Sequence, residues 1–227
     1  MPELKAGEAE LETYFRRRGW PFERHPLLTE EASAPRPDYL VQNPRTTFVC
    51  EVKDIESWRI VEALAVMPNE ASYVDPTLAY HRQWSKIRSA HDKQLARYAS
   101  IHPVVVALAE AAASDVVLDS HSMCELLIGR DEVVISRQTG EIIRHQATVT
   151  DHPNSLFCAP RTRPADAFDY LTGGLAAVVV VRSGASGVDV YLNPNCEALT
   201  LQAEAFDHAD DRVWGLTPDG FGYQPVP

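Results

Sequence analysis

Arg36-Pro37-Asp38-Tyr39-Leu40-Val41-Gln42-Asn43-Pro44-Arg45-Thr46-Thr47-Phe48-Val49-Cys50-Glu51-Val52-Lys53-Asp54 is the stretch whose reading decides the fold. Two apolar runs, Tyr39–Val41 and Thr46–Val52, flank Gln42-Asn43-Pro44-Arg45. Extended runs around an Asn-Pro cluster predict a β-hairpin. Alternate residues of a strand share a face, so Phe48, Cys50 and Val52 point one way and Val49, Glu51 and Lys53 the other. The first set reads as core. The second sets a carboxylate and an ammonium side by side, about 7 Å apart along the strand. Asp38 opens the preceding strand just after a proline, and antiparallel pairing brings it toward Glu51.

Two acids and a lysine at the end of a hairpin suit a hard cation. Mg²⁺ takes oxygen ligands, usually one or two carboxylates completed by water and phosphate. A lysine alongside can neutralise developing charge, or help deprotonate a water if burial lowers its pKa. Pro37-Asp38 followed by Glu51-Val52-Lys53 resembles the PD-(D/E)XK nuclease superfamily. That resemblance implies a restriction-endonuclease-like α/β fold: a mixed central sheet flanked by helices, here with a β-rich C-terminal extension. It implies Asp38 and Glu51 as metal ligands, joined by the carbonyl of Val52, and Lys53 as the residue that orients or activates water. Mg²⁺ or Mn²⁺ is the implied cofactor, and DNA more than RNA the implied substrate.

The chain on either side fits that order of elements. Residues 3–18 predict a helix that stops at Gly19, a suitable C-cap. Leu4, Leu11 and Phe15 share a face, and Glu8 lies on it between the first two. A carboxylate there needs a partner. It is either an acid paired with an arginine such as Arg16–Arg18, or the third metal-shell acid that the resemblance implies for a first helix, with Glu12 the alternative. Trp20 to Leu28 includes an edge-strand candidate bounded by prolines. Residues 55–67 have helical spacing and are stopped by Pro68-Asn69; they read as an insertion beside the site.

Residues 76–100 predict a second long helix. Arg82, Lys86, Lys93 and Arg97 recur at four, seven and four residues along one side of it. The run 76–97 carries five Lys/Arg against one Asp, the most basic part of the chain. It is either a solvated face or a track for the phosphate backbone of a nucleic acid. The resemblance implies a glutamine or lysine of this helix beside the metal, and Gln94 in Lys93-Gln94-Leu95 is the candidate. The apolar run up to Leu108 predicts a buried strand and completes a core over residues 1–110.

Residues 111–227 form a β-rich half that extends the same sheet or packs on it. Hairpins are predicted for 132–137 with 141–149, and for 176–182 with 188–192, the latter around Ser-Gly-Ala-Ser-Gly. Asp115–Asp119 is a short strand candidate and 122–128 a helical turn. The loop candidate at 159–166 and the last fifteen residues, with glycine and proline interleaved, read as irregular.

Composition sets the outer limits. The 227 residues are 45% apolar and 23% charged, enough for one sizeable core. No apolar run approaches the roughly 18–20 residues of a membrane span, and the N-terminus is charged rather than signal-like. Cys50, Cys124, Cys158 and Cys196 are far apart with no CxxC, which fits a reducing cytoplasm better than a disulfide framework or structural zinc. His121-x-x-Cys124 lacks a partner pair.

The net charge of −11 is unevenly spread. Residues 1–100 hold 14 Lys/Arg and 15 Asp/Glu; the remainder hold 7 and 17. The acidity therefore lies away from the hairpin. It suits a basic protein partner, and with it the rival reading: a non-catalytic module of the same fold in a nucleic-acid defence or repair complex. Two-strand cleavage would favour a homodimer.

Overall fold

The computed structural model describes residues 4–29, 31, 33–55, 77–110, 118–127, 132–135, 142–146, 157, 174–194, 196, 199–206, 208–217 and 223–226. The sequence expectations for 55–67, for 159–166 and for Asp115–Val117 fall outside these residues, Ile55 apart.

Helix α1 (Ala6–Arg18) ends at Gly19, whose φ of 65° lets its N–H turn back to the Arg16 carbonyl. That left-handed cap is one that glycine adopts without steric cost. Strands β1 (Phe22–Arg24), β2 (Tyr39–Gln42) and β3 (Thr47–Ile55) follow. Between β2 and β3, Asn43 Oδ1 accepts the backbone N–H groups of Arg45 (2.9 Å) and Thr46 (2.8 Å), fixing the turn locally. Helix α2 (Thr77–Ala90) continues into a π-turn (His91–Leu95) and a 3-10 turn (Ala96–Tyr98). Strand β4 (Val104–Glu110) and helix α3 (Ser120–Leu127) come next. Strands β5 (Glu132–Ile135), β6 (Ile142–Gln146), β7 (Leu175–Arg182), β8 (Val188–Leu192), β9 (Arg212–Leu216) and β10 (Tyr223–Pro225) complete the chain.

The fold is α/β. Eight strands form one mixed sheet in the order β1-β2-β3-β4-β7-β8-β9-β10, and β5 pairs with β6 as a separate antiparallel ribbon. Strand β4 lies at the centre, parallel to both β3 and β7. Its apolar run is buried along both faces, as expected for a parallel strand covered on each side. On one face α1 brings Leu11, Phe15 and nearby Trp20 onto Phe48, Cys50, Val105 and Val179. On the other, Ile87, Leu95 and Tyr98 from α2 and its continuation, with Met123 and Leu127 from α3, cover Val49, Val106, Leu108 and Val180. The helices of the described residues include none long and apolar enough to cross a membrane.

Three expectations are corrected. Residues 76–100 are not one regular helix, because the backbone widens at His91, whose carbonyl accepts the N–H of Ala96. The end of the chain is not irregular: β9 runs parallel to β8, with Val190 opposite Val213, and β10 pairs with β9 at the sheet edge. Pro225 is tolerated there because an edge strand has a side that donates nothing. The pairing of β9 with β10 joins sequence neighbours; what no local signal marks is the parallel pairing of β9 with β8 across the intervening segment. Finally, β3 runs on past Lys53 to Ile55, since its parallel register with β4 continues to Glu110.

Candidate active site

The site begins where β2 begins. Tyr39 stands opposite Cys50 and Leu40 opposite Val49, so the register sets Asp38 opposite Glu51. The backbone N–H of Asp38 donates to Glu51 Oε2 at 3.3 Å. Asp38 Oδ2 in turn accepts the backbone N–H of Val52 at 2.8 Å. One further step of the ladder would put Pro37 against Val52, and proline has no N–H for the Val52 carbonyl. The carboxylate of Asp38 thus takes over the acceptor half of the missing pair, and Pro37 supplies no donor for the other half.

Glu51 and Lys53 lie on the α2 side of the sheet. Lys53 Nζ donates to Glu51 Oε1 at 2.7 Å and to Gln94 Oε1 at 3.4 Å. The Glu51 side chain is 2% exposed and that of Lys53 26%. Burial first, and then the charge of Asp38, push the Glu51 carboxyl up to about 7; the bonds from Lys53 and the Asp38 N–H act the other way. Asp38, Glu51, Lys53 and Gln94 are therefore brought together from three elements, with the Val52 backbone beside them.

Glu8 is directed elsewhere. Its carboxylate accepts the backbone N–H of Lys5 at 3.3 Å, closing the first turn of α1. Helix α1 packs on the face of Phe48, Cys50 and Val52, opposite the face of Glu51 and Lys53. Among the described residues, no bond ties Glu8 to Asp38 or Glu51. Glu12, the alternative, is wholly buried and bound to Arg16 and Arg24 (each 2.5 Å) and to the Tyr39 hydroxyl (3.0 Å). It takes the arginine-paired role that the sequence left open for Glu8.

The basic residues divide. Lys86 turns to the sheet, and its Nζ donates to the Asp54 carbonyl at 2.6 Å. Lys93 and Arg97 are exposed, and Arg97 lies 3.9 Å from Glu31. The side chain of Arg82 is outside the described residues. Sequence reasoning missed two contacts around Asp54, the Lys86 bond and a 3.0 Å bond from the Gly7 N–H to Asp54 Oδ1. Gly7 carried the one available signal, a glycine in the first turn of a helix. A Cβ there would overlap Asp54 Oδ1 and Ala109 Cβ.

Among the described residues, no group of three or more His, Cys, Asp or Glu is gathered to hold a metal ion. The donor set here is smaller but hard: two carboxylates, that of Glu51 raised in pKa by burial and then by Asp38, beside the Val52 backbone. Two acids against one lysine leave an excess negative charge when both are ionised. That chemistry fits a divalent cation of the Mg²⁺ type, which keeps several waters and needs few protein oxygens. Comparison with known proteins gives no match to a protein-family model, a curated protein or a solved structure.

Proposed function

We propose that the protein is a metal-dependent nuclease of the PD-(D/E)XK type, hydrolysing phosphodiester bonds, with DNA the substrate class that the resemblance implies. The observation that carries this reading is the convergence of Asp38, Glu51, Lys53 and Gln94 at the start of β2. Four residues of the right chemistry, from segments over fifty positions apart, share one hydrogen-bonded cluster.

In this reading Asp38 and Glu51, with the Val52 carbonyl, would hold Mg²⁺ or Mn²⁺. When bound, such a cation supplies Lewis acidity to the phosphoryl group and makes water a better nucleophile. The chain's own part is electrostatic and geometric. Asp38 is fixed by the Val52 N–H, so one of its oxygens has a set direction. Glu51 must be ionised to act as a ligand, and its carboxyl, pushed up to about 7 by burial and by Asp38, reaches that form only as pH rises through neutrality. Lys53 presents an ammonium to the charge that develops on the phosphoryl oxygens as water adds to phosphorus and the P–O bond breaks. The Gln94 carboxamide oxygen holds that ammonium at its outer side.

Alanine at Asp38, Glu51 or Lys53 is expected to lower Mg²⁺-dependent cleavage by at least 10²-fold while the far-UV spectrum is unchanged. Plasmid, linear duplex and single-stranded DNA and RNA, each with Mg²⁺, Mn²⁺ or EDTA, form the assay. Undiminished cleavage by all three variants would refute the mechanism.

A second reading is a binding or assembly module that uses the same cluster without chemistry. The Lys53–Glu51 ion pair favours it, because the lysine already gives the buried acid a counter-charge. Calorimetric titration separates the two: the module takes up no divalent ion at Asp38 and Glu51, whereas the nuclease does so and loses uptake in Asp38→Ala.

A further inference from the structure

Two side chains of one helical run reach strand β3 from the same side. Lys86 Nζ donates to the Asp54 carbonyl at 2.6 Å, and Gln94 Oε1 accepts from Lys53 Nζ at 3.4 Å. Lys53 and Asp54 are neighbours on β3, so both contacts must fall within one short length of strand. A regular α-helix does not supply this. Eight residues at 100° each overshoot two full turns by about 80°, which would swing Gln94 off the line through Lys86. The π-turn His91–Leu95 removes the conflict. Its i→i+5 bond, from the Ala96 N–H to the His91 carbonyl, spreads one turn over more residues and takes up the excess.

We propose that Lys86 and the π-turn His91–Leu95 form a positioning device that holds the Gln94 carboxamide against Lys53, with Lys86 a positioning residue of the site. The carbonyl of Asp54 is its fixed point. That residue is pinned from the other face as well, since its Oδ1 accepts the Gly7 N–H at 3.0 Å. Strand β3 is thus clamped between α1 and α2 just past Lys53. Leu95, next to Gln94, is wholly buried and anchors the turn in the core. Lys86 therefore fixes the height of α2 along β3, and the π-turn fixes the rotation that aims Gln94.

The kinetic arm of the test rests on the nuclease reading; the spectroscopic arm does not. Lys86→Met, Gln94→Ala and their double variant form a cycle measured by kcat and KM for Mg²⁺-dependent DNA cleavage. Lys86→Met is expected to lower kcat about tenfold with KM nearly unchanged, and to cost nothing further once Gln94 is alanine. Losses that multiply in the double variant, or a wild-type kcat in Lys86→Met, would overturn the proposal. Lys86→Arg, which keeps a donor on a long stem, is expected to recover most of the loss.

The second arm uses the metal-free protein and no substrate. The side-chain amide signal of Gln94, assigned by its loss in Gln94→Ala, is followed by ¹⁵N NMR. It is expected to shift in Lys53→Met and to shift likewise in Lys86→Met. A signal that moves with Lys53 but stays still with Lys86 rejects the device, whatever the nuclease assay gives. If wild-type protein cuts no DNA but the Gln94 signal responds to both lysines, the nuclease reading fails and the device stands. Should Lys86→Met not fold, deletion of the exposed Asp92 returns the run toward a regular helix. That deletion is expected to shift the Gln94 signal as Lys53→Met does, and an unmoved signal counts against the device.

Discussion

Glu51 makes this protein sensitive to pH near neutrality. Its carboxyl is pushed from the ordinary 4.5 up to about 7, first by burial and then by the neighbouring Asp38 charge. A folded-state value above the unfolded one means that the protonated form is favoured in the fold. The stability Glu51 contributes is therefore complete below about pH 4.5 and is lost as pH rises through about 7. The loss is on the order of 1–3 kcal/mol. Urea unfolding between pH 4.5 and 8 is expected to record that decline in the wild type and a flatter profile in Glu51→Gln. Equal slopes in the two proteins would contradict the assignment. On the proposed metal-binding reading, a cation would compete with the proton for the same carboxylate. Stabilisation by 5–10 mM Mg²⁺, about the range in which weak sites fill, is accordingly expected to grow from pH 6 to pH 8 and to vanish in Asp38→Ala.

At the scale of elements, the contact of α1 with the end of β3 depends on a missing side chain. The Gly7 N–H reaches Asp54 Oδ1, and no atom can be added at Gly7 without displacing Asp54 or Ala109. Gly7→Ala is expected to cost about 1–3 kcal/mol, the range for overpacking a close contact. Gly19→Ala tests a different cause in the same helix. Nothing lies near a Cβ at Gly19, so the cost is that of a positive φ alone, about 1 kcal/mol. Chemical denaturation of both variants separates the two effects, and only Gly7→Ala is expected to lower the proposed nuclease activity as well. The hairpin carrying Asp38, Glu51 and Lys53 was legible from local signals, because its turn is closed by Asn43 and its pairing is between neighbours in sequence. The break in the second helix was not legible. A π-turn has no propensity signature, and it is held by Leu95 packing in a core built from distant strands.

At the scale of the molecule, the acidic second half does not stand apart from the first. Strands β4 and β7 share a parallel ladder from Val104–Leu175 to Glu110–Arg182. Beyond it lies an ionic cluster around the buried Asp189. Asp189 is 1% exposed, pairs with Arg182 and with Arg212 (2.5 Å), and accepts from Trp214 Nε1 at 3.3 Å. Arg182 also meets Glu110 at 3.2 Å and the Leu118 carbonyl at 2.8 Å. The cluster links β4, β7, β8 and β9, so part of the C-terminal acidity is neutralised inside the fold. Asp189 is the buried member; the Arg182 and Arg212 side chains keep 29% and 60% of their surface exposed and can turn to water if it is removed. Asp189→Ala, which removes charge-assisted bonds to two partly exposed arginines and to Trp214, is expected to lower the unfolding free energy by about 1–3 kcal/mol. Because the sheet is continuous, that loss should appear in a single transition with Trp20 and Trp214 unfolding together; two separate transitions would show that the halves are independent.

What the sequence determined by itself was local. The Asn-Pro turn, the alternation that puts Glu51 and Lys53 on one face, the glycine that ends α1 and the apolar run of β4 each depend on a few adjacent residues. Tertiary structure decided what depends on register between distant segments. It aimed Gln94 at Lys53 and turned Lys86 inward to Asp54. It left Glu8 on its own helix end while tying Glu12 to two arginines. It drew β9 and β10 into the sheet. The physical reason is the same in each case: periodicity fixes which face a side chain occupies, but its partner is fixed by how far two elements slide and rotate as the whole core becomes buried.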